Sequence, residues 1–326
     1  MSKSTFTAAC HDAIEEEMTR DERVFLMGED IGVGILGRSA GLRESFGEAR
    51  VRDTPISEAG VVGAAIGAAA TGMVPIVDLM FANFVYVCAD QLLNNANKLR
   101  YMMGGSASFP LTLLASTGAG GSLAAQHSDS PHAQLINGGG IKVLCPTTPA
   151  DAKGLIKSAI RDPNPVLVFL PIVLGGMRGE VPEGEHLVPI GKSRIAREGN
   201  DVTIVAVGSM VARSLEAAEK LEELGLSAEV IDPRTLHPLD YEAVIESVEK
   251  TGRLVCVDEA RRSCSLASEI VARVASDALG ALRAGPRIVA NPDVHVPYAP
   301  VLEEQVIPQV GDIVEAVQTL EPVATR

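Results

Sequence analysis

Tryptophan is missing from this 326-residue chain, and aromatic residues of all kinds make up only 3% of it. Its cores must therefore be filled by aliphatic side chains and by Ala and Gly. Positive charge is also scarce. Lys and Arg number 28 against 42 Asp and Glu, a net charge of −14. That balance argues against nucleic acid or an anionic membrane as the main partner and suits a basic protein partner. The five cysteines, Cys10, Cys88, Cys145, Cys256 and Cys264, form no C-x-x-C pair. They read as buried, reduced thiols of a cytoplasmic protein. The N-terminal stretch has no apolar signal core and is too acidic for a transit peptide. The apolar run Gly60–Gly72 falls short of the about 20 residues needed to span a bilayer.

What is present is a strong alternation. The length suggests about two domains at roughly 150 residues each, and 46% hydrophobic residues suffice for two cores. "RVFLMG", "VPIVDLMF", "PLTLLAS", "IKVLCP" and "NPVLVFLP" read as buried strands. "FTAACHDAIEEEMTR", "ADQLLNNANKLRYMM" and "TPADAKGLIKSAIRD" read as helices between them. This is the pattern of an α/β fold, a mostly parallel sheet with helices on both faces. Gly, Pro and charge then interrupt the rhythm, which predicts domains over 1–180 and 200–326 with a linker over 181–199. The second half alternates again, from the strand "DVTIVAVGS" to the strand "RIVAN". It predicts a smaller doubly wound domain, with Gly225 stopping its first helix.

Three stretches are candidates for chemistry. "GVGILG", Gly32 to Gly37, has the form of a dinucleotide fingerprint, but Glu29 and Asp30 separate it from its strand and would repel phosphate. A flexible loop is the better reading; an NAD-binding dehydrogenase is the reading it would otherwise support. Glu58 heads the helix "EAGVVGAAIGAAATG", which has almost no side-chain bulk. Such a helix, apolar on all sides, is expected to be buried, and Gly63 and Gly67 would let another backbone come close. Glu58 beside Ser57 serves either as a helix cap or as a carboxylate at the floor of a cleft near a subunit interface. His127 lies in the Gly-rich loop "GAGGSLAAQHSDSPHAQ" after a strand, where α/β proteins place chemistry, or it is an ordinary exposed loop residue. No second His or Cys stands at metal-ligand spacing from it.

Taken together, the blocks "MGEDIG", "RVRDTPISEAGVVGAAIGAAATGMVPIVDLMFANF", "ADQLLNNANKLRYMMGG", "AAQHSDS", "PTTPADAKGLIKSAIRDPNPVLVF", "VIDPRTLHPLD" and "KTGRLVCVDEA" resemble, in order and nearly end to end, the beta subunit of the thiamine-diphosphate-dependent decarboxylating component of 2-oxoacid dehydrogenase complexes. "LMFANF", "KLRYMMGG" and "GRLVCVDEARRSCSLASEI" look closest to the acetoin dehydrogenase branch. The resemblance implies a pyrimidine-binding α/β domain followed by a transketolase C-terminal domain. It implies a cofactor shared with an alpha subunit, which supplies the magnesium–diphosphate motif. The nearest thing here is Gly311-Asp312-Ile313, with too little chain after it for the expected Asn.

Glu58 matches the family glutamate that bonds a pyrimidine nitrogen and thereby promotes ylid formation. Phe84 would pack on the pyrimidine, and His127 would sit on the substrate side. "KSAIRDPNP" resembles a potassium loop, with Leu111, Ala159, Ile160, Asp162 and Asn164 as ligands; a plain helix stop explains the same residues. An α2β2 heterotetramer, a lipoyl acyltransferase core and a 2-oxoacid or acetoin substrate are the implied partners. The alternatives are a subunit of a split transketolase or carboligase and a non-catalytic structural subunit. The chain departs from the family pattern at Leu114, Asp129, Gly139-Gly140, Pro171 and Leu174-Gly175. Those departures leave Glu58, Phe84 and His127 in place and bear on substrate and acceptor.

Overall fold

The computed structural model describes residues 2–320. The chain divides into two compact units. One comprises the chain up to Thr117 together with Gln134–Ile190; the other comprises Gly118–Ala133 together with the chain from Gly191 onward. The elements run β1 (Ser2–Thr5), α1 (Phe6–Arg20), β2 (Val24–Gly28), α2 (Leu42–Phe46), β3 (Val51–Asp53), α3 (Glu58–Ala70) and β4 (Val74–Phe81). They continue with α4 (Asn97–Met102), β5 (Leu111–Thr117), α5 (His132–Asn137), β6 (Lys142–Leu144), α6 (Pro149–Ile160), β7 (Pro165–Pro171) and β8 (Arg178–Val181). After these come β9 (Arg194–Arg197), β10 (Val202–Ala206), α7 (Met210–Glu223), β11 (Ala228–Asp232), β12 (Thr235–His237), α8 (Tyr241–Thr251) and β13 (Leu254–Arg261). The last are α9 (Leu266–Asp277), β14 (Arg287–Asn291), α10 (Pro300–Val306) and α11 (Val310–Gln318).

In the first unit, parallel strands run in the order β6-β7-β5-β4-β2-β3, and β1 pairs antiparallel with β8. Strands buried on both faces carry continuous apolar runs, as β5 and β7 do. Helix α1 starts where the Thr5 hydroxyl accepts from Ala8 N at 3.1 Å, and it buries Phe6, Cys10, Ala13, Ile14 and Met18 on one stripe. Glu17 lies on that buried stripe, and the Arg161 guanidinium meets it at 2.5 Å. A charge so fully withdrawn from water is tolerable only when paired in this way. Helix α6 begins with Thr148 as cap and Pro149 in its first turn, where a missing N–H costs nothing.

In the second unit, β14-β13-β10-β11-β9 form one sheet, parallel except for β9. Strand β9 falls within the segment expected to be a linker; its half-buried, charge-rich sequence carries no apolar run to announce a strand. Gly225 ends α7 with φ +79°, a conformation glycine adopts without strain. No helix among the described residues is long and apolar enough to cross a membrane.

Two expectations need correction. Cys10, Cys88, Cys145 and Cys256 are buried, but Cys264 is exposed. Helix α3 is not covered on all sides. Val61, Val62, Ala65, Ile66 and Ala69 are buried, while Gly60, Gly63, Ala64 and Gly67 are exposed in this chain. Those four positions carry almost no side chain, so nothing of their own needs internal cover.

Candidate active site

The first unit holds a small cleft at the C-terminal ends of its strands, where open α/β sheets bind ligands. Glu29, Thr54, Ser57, Glu58, Val61 and Leu79 are among the residues lining it. Close packing brings its walls together: a Cβ on Gly28 would lie 2.5 Å from the Asp78 carbonyl oxygen, so β2 and β4 meet there only because position 28 is glycine. Glu58 is the first residue of α3 and is half-buried. The Ser57 side chain makes no capping bond, and no hydrogen bond to the Glu58 carboxylate is formed among the described residues. The Thr54 hydroxyl oxygen is buried without a partner on the same cavity. A buried hydroxyl left unpaired is costly and points to a polar ligand. Burial, joined by the charges of Asp30 and Glu58, raises the pKa of Glu29. Cys88 is pushed up to about 12, first by burial and then by the charge of Glu58, so it stays a neutral thiol beside the carboxylate.

The turn that follows is held by a buried ion pair. Arg38 donates through Nε to Asp78 at 2.7 Å and through a terminal nitrogen to its other oxygen at 2.5 Å, and also reaches Ser116 at 3.0 Å. The same Asp78 carboxylate accepts from Met80 N at 2.9 Å, and Met80 has φ +61°. Strained backbone of this kind persists only where neighbours over-determine it. Phe84 stands on the next turn, half-buried, edge-on to Phe81 at 5.9 Å between ring centroids. It is not among the residues lining the Glu58 cavity.

His127 belongs to the second unit. Its loop leaves β5 through Gly118, whose φ is +88° and where a Cβ would lie 2.6 Å from the Glu259 carboxylate. Glu259 accepts from Ala119 N at 3.0 Å and from the Ser209 hydroxyl at 2.9 Å. Glu303 accepts from Gly120 N at 2.8 Å and from Ser122 N at 3.0 Å. Further along, Arg261 meets Asp129 at 3.0 Å, and buried His132 meets buried Asp258 at 2.9 Å. Burial pulls the His132 pKa down, but the charge and hydrogen bond of Asp258, with the charge of Glu259, outweigh it and leave it raised. His127 itself is half-buried, and its N–H donates to Ala124 O at 3.3 Å.

The residues named as potassium ligands gather at one corner of the first unit. Leu111 starts β5, Ala159 and Ile160 end α6, and Asp162 and Asn164 form the turn into β7. The side chains there do not suit a bare cation. Asp162 accepts from the Lys142 ammonium and from Asn164, and the Asn164 side-chain oxygen accepts from Arg100 at 2.7 Å. "GVGILG" is not a phosphate cradle. No helix follows it directly, Gly32 N donates to Asp53 at 2.7 Å, and a Cβ on Gly34 would strike Ala40. Its glycines serve close packing, Gly34 against Ala40, Gly32 against Arg43 and Asp53, and Gly37 against Thr7. Sequence reasoning missed Thr54, Arg38–Asp78, Glu259, Glu303 and His132–Asp258. Thr54 carries no motif of its own, and each of the others acts through a partner far along the chain, so no local spacing reports them.

Comparison with known proteins agrees with this architecture. The family model "Transketolase, pyrimidine binding domain" matches residues 2–174, and "Transketolase, C-terminal domain" matches residues 191–313. The chain is 48% identical, over 96% of each chain, to the acetoin:2,6-dichlorophenolindophenol oxidoreductase subunit beta of Cupriavidus necator. It is 42% identical to the 2-oxoisovalerate dehydrogenase subunit beta of Bacillus subtilis, over 93% of this chain and 94% of that one. A solved structure titled as a split gene transketolase, inactive beta4 tetramer, superposes with a TM-score of 0.79 at 26% identity over 96% of each chain. With relatives of this identity along nearly its whole length, and both transketolase-type domains in order, the chain belongs to the family of beta subunits of acetoin and 2-oxoacid dehydrogenases.

Proposed function

We propose that this chain supplies the aminopyrimidine half of a thiamine-diphosphate site in an acetoin or 2-oxoacid dehydrogenase, working with an alpha subunit. The observation that carries the reading is the Glu58 cavity. There a carboxylate with no hydrogen bond from the described residues and a buried, unpaired Thr54 hydroxyl line one space. A nitrogen heterocycle bearing an exocyclic amine suits that pair, because it offers both donors and acceptors. When bound, thiamine diphosphate supplies a carbon nucleophile and an electron sink for cleaving the bond beside a carbonyl.

The chain's own residues do the rest. Glu58 holds a proton at its carboxylate and exchanges it with the ring nitrogen, in a site that α3 walls on one side through Val61. Phe84 packs on the ring, and His127 acts on the substrate side. Magnesium and diphosphate fall to the alpha subunit in an α2β2 heterotetramer, and the acyl group passes to the lipoyl arm of an acyltransferase core. A potassium ion at the Leu111–Asn164 corner would rest on backbone oxygens, since the Asp162 and Asn164 side chains already accept from Lys142 and Arg100.

The acetoin branch is the preferred one, because acetoin enzymes from two bacteria share 48% and 45% identity with the chain. The test is to assemble the chain with an alpha subunit and follow reduction of dichlorophenolindophenol with acetoin, pyruvate and branched 2-oxoacids. Substrate-dependent reduction is expected. An assembled, cofactor-loaded complex that reduces no dye but transfers a ketol unit to an aldose would replace this reading with the split transketolase, which the 26%-identical structural neighbour represents.

A further inference from the structure

The loop that carries His127 is fastened by carboxylates that the reaction itself does not call for. Glu303, in α10, is 3% exposed and lies more than 170 residues along the chain from the loop it grips. Gly120 N donates to one of its oxygens at 2.8 Å, Ser122 N to the other at 3.0 Å, and the Ser122 hydroxyl to the latter at 3.3 Å. These donors are neutral. Converging N–H groups of a left-handed turn form a concave anion site, and here the anion comes from within the protein. Ser122 has φ +53° and Ala124 φ +61°, neither a conformation a residue with a Cβ favours. Ala124 O in turn accepts from His127 N at 3.3 Å. Glu303 therefore grips the turn at Gly120 and Ser122, and the same turn continues through Ala124 to its bond with His127. With the carboxylate removed, Ser122 loses the contact that holds its left-handed backbone, and the turn that leads to Ala124 relaxes.

We propose that Glu303 is a positioning residue, which holds the left-handed turn Gly120–Ala124 and thereby places the His127 imidazole for reaction. The inference rests on the reading of His127 as a substrate-side residue. The experiment uses the assembled enzyme with an alpha subunit and compares Glu303→Gln, His127→Ala and the double variant. Glutamine keeps one acceptor oxygen but turns an NH2 toward a loop donor, so one hydrogen bond becomes a repulsion.

Glu303→Gln is expected to lower kcat roughly a hundredfold, the scale of misplacing a reacting group by about an ångström. KM, thiamine-diphosphate affinity and thiazolium-proton exchange should stay within about twofold, because the variant alters the placing of a substrate-side group and leaves Glu58 untouched. Hydrogen exchange at the Gly120 and Ser122 amides should speed up. In the His127→Ala background Glu303→Gln should cost nothing further in kcat, since both changes remove one function.

A full additional loss in the double variant would overturn the proposal while leaving the role of His127 standing. A normal His127→Ala enzyme would instead overturn the reading of His127, and the proposal with it. If Glu303→Gln fails to assemble, Glu303→Asp decides. The shorter side chain draws the carboxylate back from the Gly120 and Ser122 N–H groups, and should lower kcat in the same direction with faster loop exchange; unchanged kcat would overturn the proposal.

Discussion

Glu58 heads α3 with Ser57 just before it, yet the Ser57 hydroxyl makes no capping bond and Glu58 accepts none among the described residues. The helix dipole favours an anion at that end, so the position is electrostatically comfortable without being chemically used up. If Glu58 exchanges a proton with a ring nitrogen, Glu58→Gln keeps the shape and a hydrogen bond but loses the exchange. Turnover of the assembled enzyme should fall at least about a hundredfold, with assembly intact by size exclusion. Thiazolium-proton exchange at the wild-type rate would reduce Glu58 to a helix terminus residue.

His132 gives a residue-scale prediction about stability. Its pKa is raised in the folded chain, so folding binds its proton more tightly than the unfolded chain does. The stability it contributes is fully present below the ordinary histidine value of about 6.5. That contribution is lost as pH climbs through the higher folded value. His132→Gln strands a buried Asp258 charge and should cost on the order of 3–5 kcal/mol at low pH. Urea midpoints of both proteins across that range should show the gap narrowing as pH rises. A gap that widens would mean His132 is folded in its neutral form.

At the scale of elements, α3 is the informative case. Its buried stripe, Val61, Val62, Ala65, Ile66 and Ala69, faces its own unit, and its glycine face is exposed. A Cβ on Gly63 would meet only Gln91, at 3.9 Å, so the chain alone has room for a larger residue there. Gly63→Leu should therefore leave circular dichroism unchanged. If an alpha subunit closes on that face, the leucine forces the backbones apart at a cost of about 1–3 kcal/mol, and size exclusion should show smaller species. An intact complex would place the subunit contact elsewhere.

Elements with long apolar periods were legible in the sequence. The period-3.6 stripe of "FTAACHDAIEEEMTR" coincides with α1, and the runs "VPIVDLMF" and "NPVLVFLP" with β4 and β7. Short elements were not. Strand β9 has four residues, exposed or half-buried, and Gln91–Ala96 winds as a π-helix inside a stretch whose side chains fit an α-helix equally well.

On the scale of the whole molecule, the chain holds Glu58 and His127 but no diphosphate motif, and it carries a net charge of −14. If the cofactor is shared with an alpha subunit, the purified chain should bind thiamine diphosphate poorly, because half a site forgoes most of the charged contacts. Titration calorimetry with magnesium present should show little heat. Tight magnesium-dependent binding by the single chain would remove the need for a partner.

The sequence by itself determined the α/β class, the strands and helices with strong periodicity, and the family, because these depend on patterns between residues close together or on blocks in order. It also singled out Glu58, at the head of its helix, and His127, in the Gly-rich loop after β5. Only the tertiary structure decided that Thr54 and Glu29 share the Glu58 cavity, that Arg38 neutralises Asp78 beneath it, and that Glu303, Glu259 and Asp258 grip the His127 loop. The hydrogen-bonded pairs among them join residues from 40 to 183 positions apart. Such pairs have no spacing rule, since loop closure costs only logarithmically more with length, so a partner can come from almost anywhere the sheet topology brings it.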